Sequence, residues 1–282
     1  MTGSEAAPAA TAERGSRNLL TRVIAALILA PAAIAIAWAG GWLWAGLVTM
    51  ASIGLYVEWL MIIGAGRNAG VIATGTAALS LAGYCLASGR IEAALVTMAL
   101  GVVSVAVISP SKRGWVATGL CYAALAEIAS VLVRLDQVWG FVALVLVLLV
   151  VWVTDIGGYF AGRGIGGPKL WPRVSPKKTW AGAIGGFILS LAIAGAFAGF
   201  GFGKMGPLLL LGAVLSIASQ FGDLFESAVK RRFGVKDSSQ IIPGHGGLLD
   251  RLDGFVYAIV LAALIGVLRG GVDGVGRGLM VW

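Results

Sequence analysis

The stretch Val138-Trp-Gly-Phe-Val-Ala-Leu-Val-Leu-Val-Leu-Leu-Val-Val-Trp-Val-Thr-Asp155 carries no ionisable side chain until its last residue. A helix of about 20 such residues crosses the hydrocarbon core of a bilayer, whereas a helix on a soluble protein keeps a polar face. Working outward, the pattern repeats. Candidate spans lie at 19–39, 42–63, 69–88, 91–109, 114–133, 138–161, 180–200, 206–228 and 254–272. Of 282 residues, 59% are hydrophobic and 12% charged, with a mean hydropathy of +0.92, where soluble chains carry roughly 25% charged residues. The 43 glycines suit helices that approach closely in lipid. The expectation is an all-α integral membrane protein, a polytopic bundle of about nine transmembrane helices. Residues 1–18, small, polar and rich in Ala and Pro, are expected to be a disordered tail, leaving 19–282 as one membrane domain.

A net charge of +8 admits nucleic acid, anionic lipid or a phosphorylated substrate as partner. Beside membrane spans the first is the weakest, and no nucleic-acid partner is expected. With nine spans, sixteen Lys and Arg fall on the side of the N-terminal tail and five on the other. That asymmetry predicts a multi-pass protein of the cell (inner) membrane with its N-terminus and both charged loops in the cytoplasm. Ala37-Trp38-Ala39 mimics a signal-peptidase site, but the apolar run ahead of it is long enough to span, so the first helix is read as uncleaved. Cys85 and Cys121 sit in apolar segments without metal-ligand spacing and read as small buried hydrophobes. The chain has no GxxxxGK[ST], GxSxG or HExxH motif.

Chemistry concentrates in two places. The segment Leu215–Lys230 sets Ser216, Ser219, Asp223, Glu226, Ser227 and Lys230 three or four residues apart, one polar stripe on a helix. A carboxylate within a span costs roughly 2.5–3.5 kcal/mol on insertion scales, so it faces a cavity or a partner. The loop that follows ends in Pro243-Gly-His245-Gly246-Gly247 and then Asp250 and Asp253. Its glycines allow close approach of backbone N–H groups to a phosphate, and His245 could contact that phosphate or assist proton transfer. Asp223, Asp250 and Asp253 are hard oxygen ligands of the type Mg²⁺ takes together with substrate phosphates. The second place runs from Thr154-Asp155 through Arg163, Lys169 and Arg173 to Ser175-Pro-Lys177-Lys178-Thr179-Trp180. Basic groups that hold phosphates beside acids that hold a divalent ion point to phosphoryl or nucleotidyl transfer at a membrane surface.

The spacing Ser227-x2-Lys230-Arg231-x4-Lys236-Asp237-x5-Pro243-Gly-His245-Gly246-Gly247-x2-Asp250-Arg251-x-Asp253 resembles the signature of the phosphatidate cytidylyltransferase (CDP-diacylglycerol synthase) family. Thr154-Asp155…Gly162-Arg163…Ser175-Pro-Lys177-Lys178-Thr179-Trp180 is similar to that family's second motif, with Ala181 where members often have Glu. The resemblance implies transfer of a cytidylyl group from CTP to phosphatidic acid, with Mg²⁺ and room for a second cation, by a helical homodimer embedded in the lipid bilayer. Carried onto matching positions, it implies Asp223, Lys230, His245 and Asp250 as the catalytic group and Asp223, Asp250 and Asp253 as metal ligands. Asp155, Arg163, Ser175, Lys177, Lys178, Ser227, Arg231, Lys236, Gly246, Gly247 and Arg251 would bind substrate. Two alternatives stay open: a CTP-dependent kinase or cytidylyltransferase of another membrane lipid, and an ion-coupled transporter using Asp155, Asp223 and Glu226.

Overall fold

The structure, a computed structural model, describes residues 31–236, 238–239 and 246–282. Helix α1 is seen over 31–39. It is followed by α2 (Gly41–Ile62), α3 (Ala69–Ala87), α4 (Ile91–Ile108) and, after a 3₁₀ turn at Pro110–Lys112, α5 (Arg113–Leu135). Next come α6 (Gly140–Gly164), a hairpin of β1 (Lys169–Trp171) and β2 (Ser175–Thr179), α7 (Trp180–Gly199), α8 (Met205–Arg232), α9 (Leu249–Gly270) and the short α10 (Val275–Met280). Among the described residues, α2 to α9 are the eight helices long and apolar enough to cross a membrane. The protein is an all-α polytopic membrane bundle, as its composition requires. The ninth expected span, 19–39, and the expected tail at 1–18 lie wholly or mostly outside the described residues.

Two features differ from the sequence reading. The last long helix begins at Leu249 rather than near 254, so Asp250 belongs to its first turn and Asp253 follows one turn later. The connection between α6 and α7 is an antiparallel hairpin that pairs Lys169 with Thr179 and Trp171 with Ser175. Pro176 and the β-branched Val174 and Thr179 favour extended backbone there. Of the cysteines, Cys85 is buried as expected, whereas Cys121 is exposed on the surface of the bundle.

Consecutive long helices run antiparallel, which gathers the α2–α3, α4–α5, α6–α7 and α8–α9 connections at one end of the bundle. Lys112 fastens two of them by donating to the carbonyls of Ile63 (2.6 Å) and Gly64 (3.0 Å). Helices α6 and α7 approach backbone to backbone. A Cβ on Gly186 would stand 2.4 Å from the Thr154 carbonyl oxygen, and one on Gly182 would stand 2.7 Å from that of Gly158. Small residues permit this contact, which in lipid replaces hydrophobic drive with close packing. Thr179, buried at the hairpin's end, starts α7 by accepting from the Gly182 N–H (3.1 Å).

An aromatic layer lies beneath the same end. Trp59 (α2) stacks on Tyr122 (α5) and Phe225 (α8), with ring centroids 5.7 and 6.1 Å apart, and Tyr257 (α9) packs 5.6 Å from Phe225. The Trp59 indole donates to the Trp115 carbonyl at 2.9 Å. Four helices are thereby locked together under the charged residues, and rigid aromatic contacts of this geometry contribute about 0.5–1.5 kcal/mol each beyond burial.

Candidate active site

A cavity of about 570 Å³ opens at this end between α6, the hairpin, α7, α8 and α9. Helix α6 contributes Asp155 and Arg163, β2 contributes Lys177 and Lys178, α8 contributes Asp223, Ser227 and Lys230, and α9 contributes Asp250, Arg251 and Asp253. Ten residues singled out in the sequence thus share one vestibule, although nearly a hundred positions separate Asp155 from Asp253. Ser175, Arg231 and Lys236 do not line it. Ser175 sits at the turn side of the hairpin opposite Trp171, Arg231 is exposed in the last turn of α8, and Lys236 is exposed beyond its end. Gly246 and Gly247 form the stem that leads into α9, and His245 lies outside the described residues.

The polar stripe on α8 divides in two. Its deeper part serves packing: the Ser216 and Thr154 hydroxyls share a hydrogen bond of 2.9 Å, and Ser219 is buried against Gly254 with its hydroxyl unpartnered. The outer part faces the cavity. Lys230, almost fully buried, bridges Glu226 Oε2 and Asp250 Oδ1, each at 2.6 Å. Asp250 Oδ2 accepts in turn from the N–H groups of Ser238 (3.3 Å) and Gly247 (3.2 Å). Two acids and one base in so little water make a triad whose members need one another, because removing one leaves a buried charge uncompensated.

Asp223 pairs with Lys178 across the gap between α8 and the hairpin. Asp155, Asp223 and Asp253 lie within each other's electrostatic reach, and Lys178 and Arg251 are the cations that face them. At the rim Arg163 donates to the Tyr159 hydroxyl at 2.8 Å. Among the described residues no three Asp, Glu, His or Cys groups converge as a ready-made metal cage. The donor set nevertheless suits Mg²⁺, which binds through one or two carboxylates and completes its shell with water and phosphate oxygens.

A second, apolar hollow of about 570 Å³ flanks the cavity on the next face of α8. Ile217, Phe221, Leu224 and Phe225 line it, with Tyr257 from α9 and Trp171 from the hairpin. One helix therefore offers carboxylates to one side and a greasy groove to the other.

Sequence reasoning missed two contributors. Gln220 lines the cavity and donates to the Ala183 carbonyl at 3.3 Å. Glu58, on α2, is completely buried and bonds the loop between α8 and α9. The available signal was an ionisable residue inside an apolar helix.

A membrane-spanning bundle with such a cavity at one end, acids set against lysines and arginines, belongs to the class of proteins that handle anionic ligands at a membrane surface. Comparison with known proteins narrows the class. The sequence matches the profile described as the Cytidylyltransferase family over residues 20–268, and the chain belongs to that family. It is 40% identical over 262 residues to the phosphatidate cytidylyltransferases of Brucella suis and Brucella melitensis, covering 89% of this chain and 94% of each of theirs. It is 38% identical over 175 residues to the phosphatidate cytidylyltransferase of Staphylococcus aureus, covering 61% of this chain and 67% of that one.

Proposed function

We propose that this protein transfers the cytidylyl group of CTP to phosphatidic acid, giving CDP-diacylglycerol and pyrophosphate. The observation that carries the reading is the pairing on α8 of a charged cavity with an apolar groove. A nucleoside triphosphate needs the first, and a lipid phosphate needs both. The relatives' names agree with it.

The chemistry asks little of a general base. A phosphate monoester, with a second pKa of about 6, is largely dianionic at neutral pH. One of its oxygens attacks the α-phosphorus of CTP, a new P–O bond forms, the bond to the β-phosphate breaks and pyrophosphate departs. The difficulty is to bring two polyanions together, and positioned cations answer it. Arg163, Lys177 and Arg251 at the rim, with Lys178 deeper in, neutralise phosphate oxygens and orient the two reactants. Asp223, Asp250 and Asp253 are the residues to hold Mg²⁺, which when bound would screen the triphosphate charge. Asp250 is held on both sides, Oδ2 by the Ser238 and Gly247 N–H groups and Oδ1 by Lys230, so Lys230 would have to release Oδ1, leaning on Glu226, for Asp250 to act as a ligand. The acyl chains lie along Ile217, Phe221 and Leu224, so the lipid need not leave the bilayer to react.

The cavity end faces the cytoplasm in this reading, because CTP is there and the Lys/Arg excess favours that side. A homodimer is the assembly the resemblance implies, and light scattering in detergent tests it. For the activity, purified full-length chain is given labelled CTP, phosphatidic acid and Mg²⁺. The expected product is a CDP-lipid with release of pyrophosphate. CDP and a further phosphorylated lipid would indicate a kinase instead, and no nucleotide-dependent lipid product would reject the reading.

A further inference from the structure

We propose that Glu58 is a positioning residue for this site: from α2 it grips both stems of the α8–α9 loop and so sets where Asp250 stands. The proposal rests on the cytidylyl-transfer reading for its kinetic consequences.

Glu58 is 0% exposed, and no described Lys or Arg pairs with it. A buried carboxylate without a cation persists only when hydrogen bonds saturate it. Four do. Oε1 accepts from the Leu248 N–H (2.8 Å) and the Ser239 hydroxyl (2.6 Å), and Oε2 accepts from the Leu249 N–H (2.7 Å) and the Ser238 hydroxyl (2.9 Å). The two N–H groups are the first of α9, whose own boundary residue Leu248 offers no side-chain cap. An anion is favoured at that end of a helix, so a residue 190 positions upstream caps α9 from outside.

Capping alone would need only the N–H groups. The two serines enter from the opposite stem, and Ser238 links this cluster to the cavity: its hydroxyl binds Glu58 while its N–H binds Asp250 Oδ2. Gly247 is wedged between them. A Cβ there would fall 1.6 Å from Ser238 Oγ and 2.7 Å from Glu58 Oε2. A continuous relay, Glu58–Ser238–Asp250–Lys230, therefore runs from the buried core to the cavity wall. A displaced Glu58 carboxylate moves Asp250.

The test is Glu58→Gln in the full chain, whose amide keeps the volume but sets a donor against donors. Because misplacement by about 1 Å can cost 10²-fold, kcat/KM for CTP should fall about 10–100-fold per folded protein, with a raised KM for CTP. A merely structural role would lower the active fraction and leave that KM alone. Hydrogen exchange should speed up at the Leu248 and Leu249 N–H groups while the rest of the bundle keeps its protection. Should Glu58→Gln fail to fold, the double variant Ser238→Ala/Ser239→Ala removes two of the four bonds and should show a smaller loss of the same kind. CTP kinetics within about twofold of wild type in whichever of these folds would overturn the proposal. An inactive wild type would overturn the kinetic reading and the proposed function together, whereas unchanged exchange at Leu248 and Leu249 would overturn the anchoring by itself.

Discussion

The two ends of the bundle use the same residue types for opposite purposes. At the end away from the cavity, Arg134, Arg269 and Asp136 are answered by backbone. Arg134 donates to the carbonyls of Ala37 (2.5 Å) and Trp38 (2.8 Å), and Arg269 caps the C-terminal segment through Gly278 and Val281 while lying over the Trp282 ring. Asp136 turns the chain into α6 by accepting from the Val138 and Trp139 N–H groups at 2.9 Å, and from Arg277 N–H at 2.8 Å. Around the cavity, charges answer one another directly: Lys178 to Asp223, Lys230 to Glu226 and Asp250. Side chains bound to backbone are fixed parts of the fold. Side chains that hold each other across a cavity can exchange partners when an anion or cation enters.

The comparison breaks most sharply at Asp223. Asp223→Asn keeps the volume and removes the charge, so turnover should fall by about 10³-fold with an unaltered melting curve, as loss of a key electrostatic group does. Near-normal turnover would show that the acid facing Lys178 is structural after all.

Lys230→Met probes the buried triad. It leaves Glu226 and Asp250 facing each other without a cation, and breaking such a pair costs about 3–5 kcal/mol. A large drop in detergent melting temperature is expected, and a small one would mean that water reaches the triad and screens it.

A gentler test narrows the apolar groove. Ile217→Trp fills it from an exposed position. The KM for long-chain phosphatidic acid should rise about 4–15-fold, the value of one or two lost methylene contacts at about 0.8 kcal/mol each, while short-chain substrate is unaffected. Equal effects on both would remove the acyl chains from the groove.

The smallest effect is expected at the other end. Asp136→Ala should lose about 0.5–2 kcal/mol, typical of a lost helix-start acceptor, without touching kcat. Burial pushes the Asp136 carboxyl up, but the N–H groups of Trp139, Arg277 and Val138 outweigh it and hold the group below its ordinary value. The folded state therefore binds this proton more weakly than the unfolded one. Its stabilisation is complete above the unfolded value of about 3.9 and fades as pH falls through the lower, folded value. The difference in melting temperature between wild type and Asp136→Ala should shrink in that acid window and stay constant near neutrality.

Much of the site was legible because it is local in sequence. Asp223, Ser227 and Lys230 recur at helical spacing, and Asp250 and Asp253 sit one turn apart, so each set shares a face once the helix forms. Ser175 shows where locality misleads. It stands two residues from Lys177, on the same face by strand alternation, yet the hairpin's register sets it at the turn end beside Trp171 rather than in the cavity. Glu58 and Glu127 show a deeper limit. Both are lone acids in apolar helices, and both are fully buried. Among the described residues Glu127 accepts only from Thr49 at 2.6 Å, on the far part of α2, whereas Glu58 holds the loop beside the cavity. Their flanking residues do not separate them, because the donors that give Glu58 its place are two serine hydroxyls about 180 residues away and two backbone N–H groups of a kind every sequence contains.

Hydropathy alone made this chain a bundle of membrane helices, since burying an unpaired peptide group in lipid is too costly for any other spanning arrangement of such segments. Residue spacing alone put acids and bases on common helix faces. Which faces meet, and which acids look into a shared cavity rather than into packed neighbours, was decided by tertiary contacts. Close approach of α6 to α7 and the capping of α9 by Glu58 join residues far apart in the chain, and their energies depend on distances that a linear pattern does not encode.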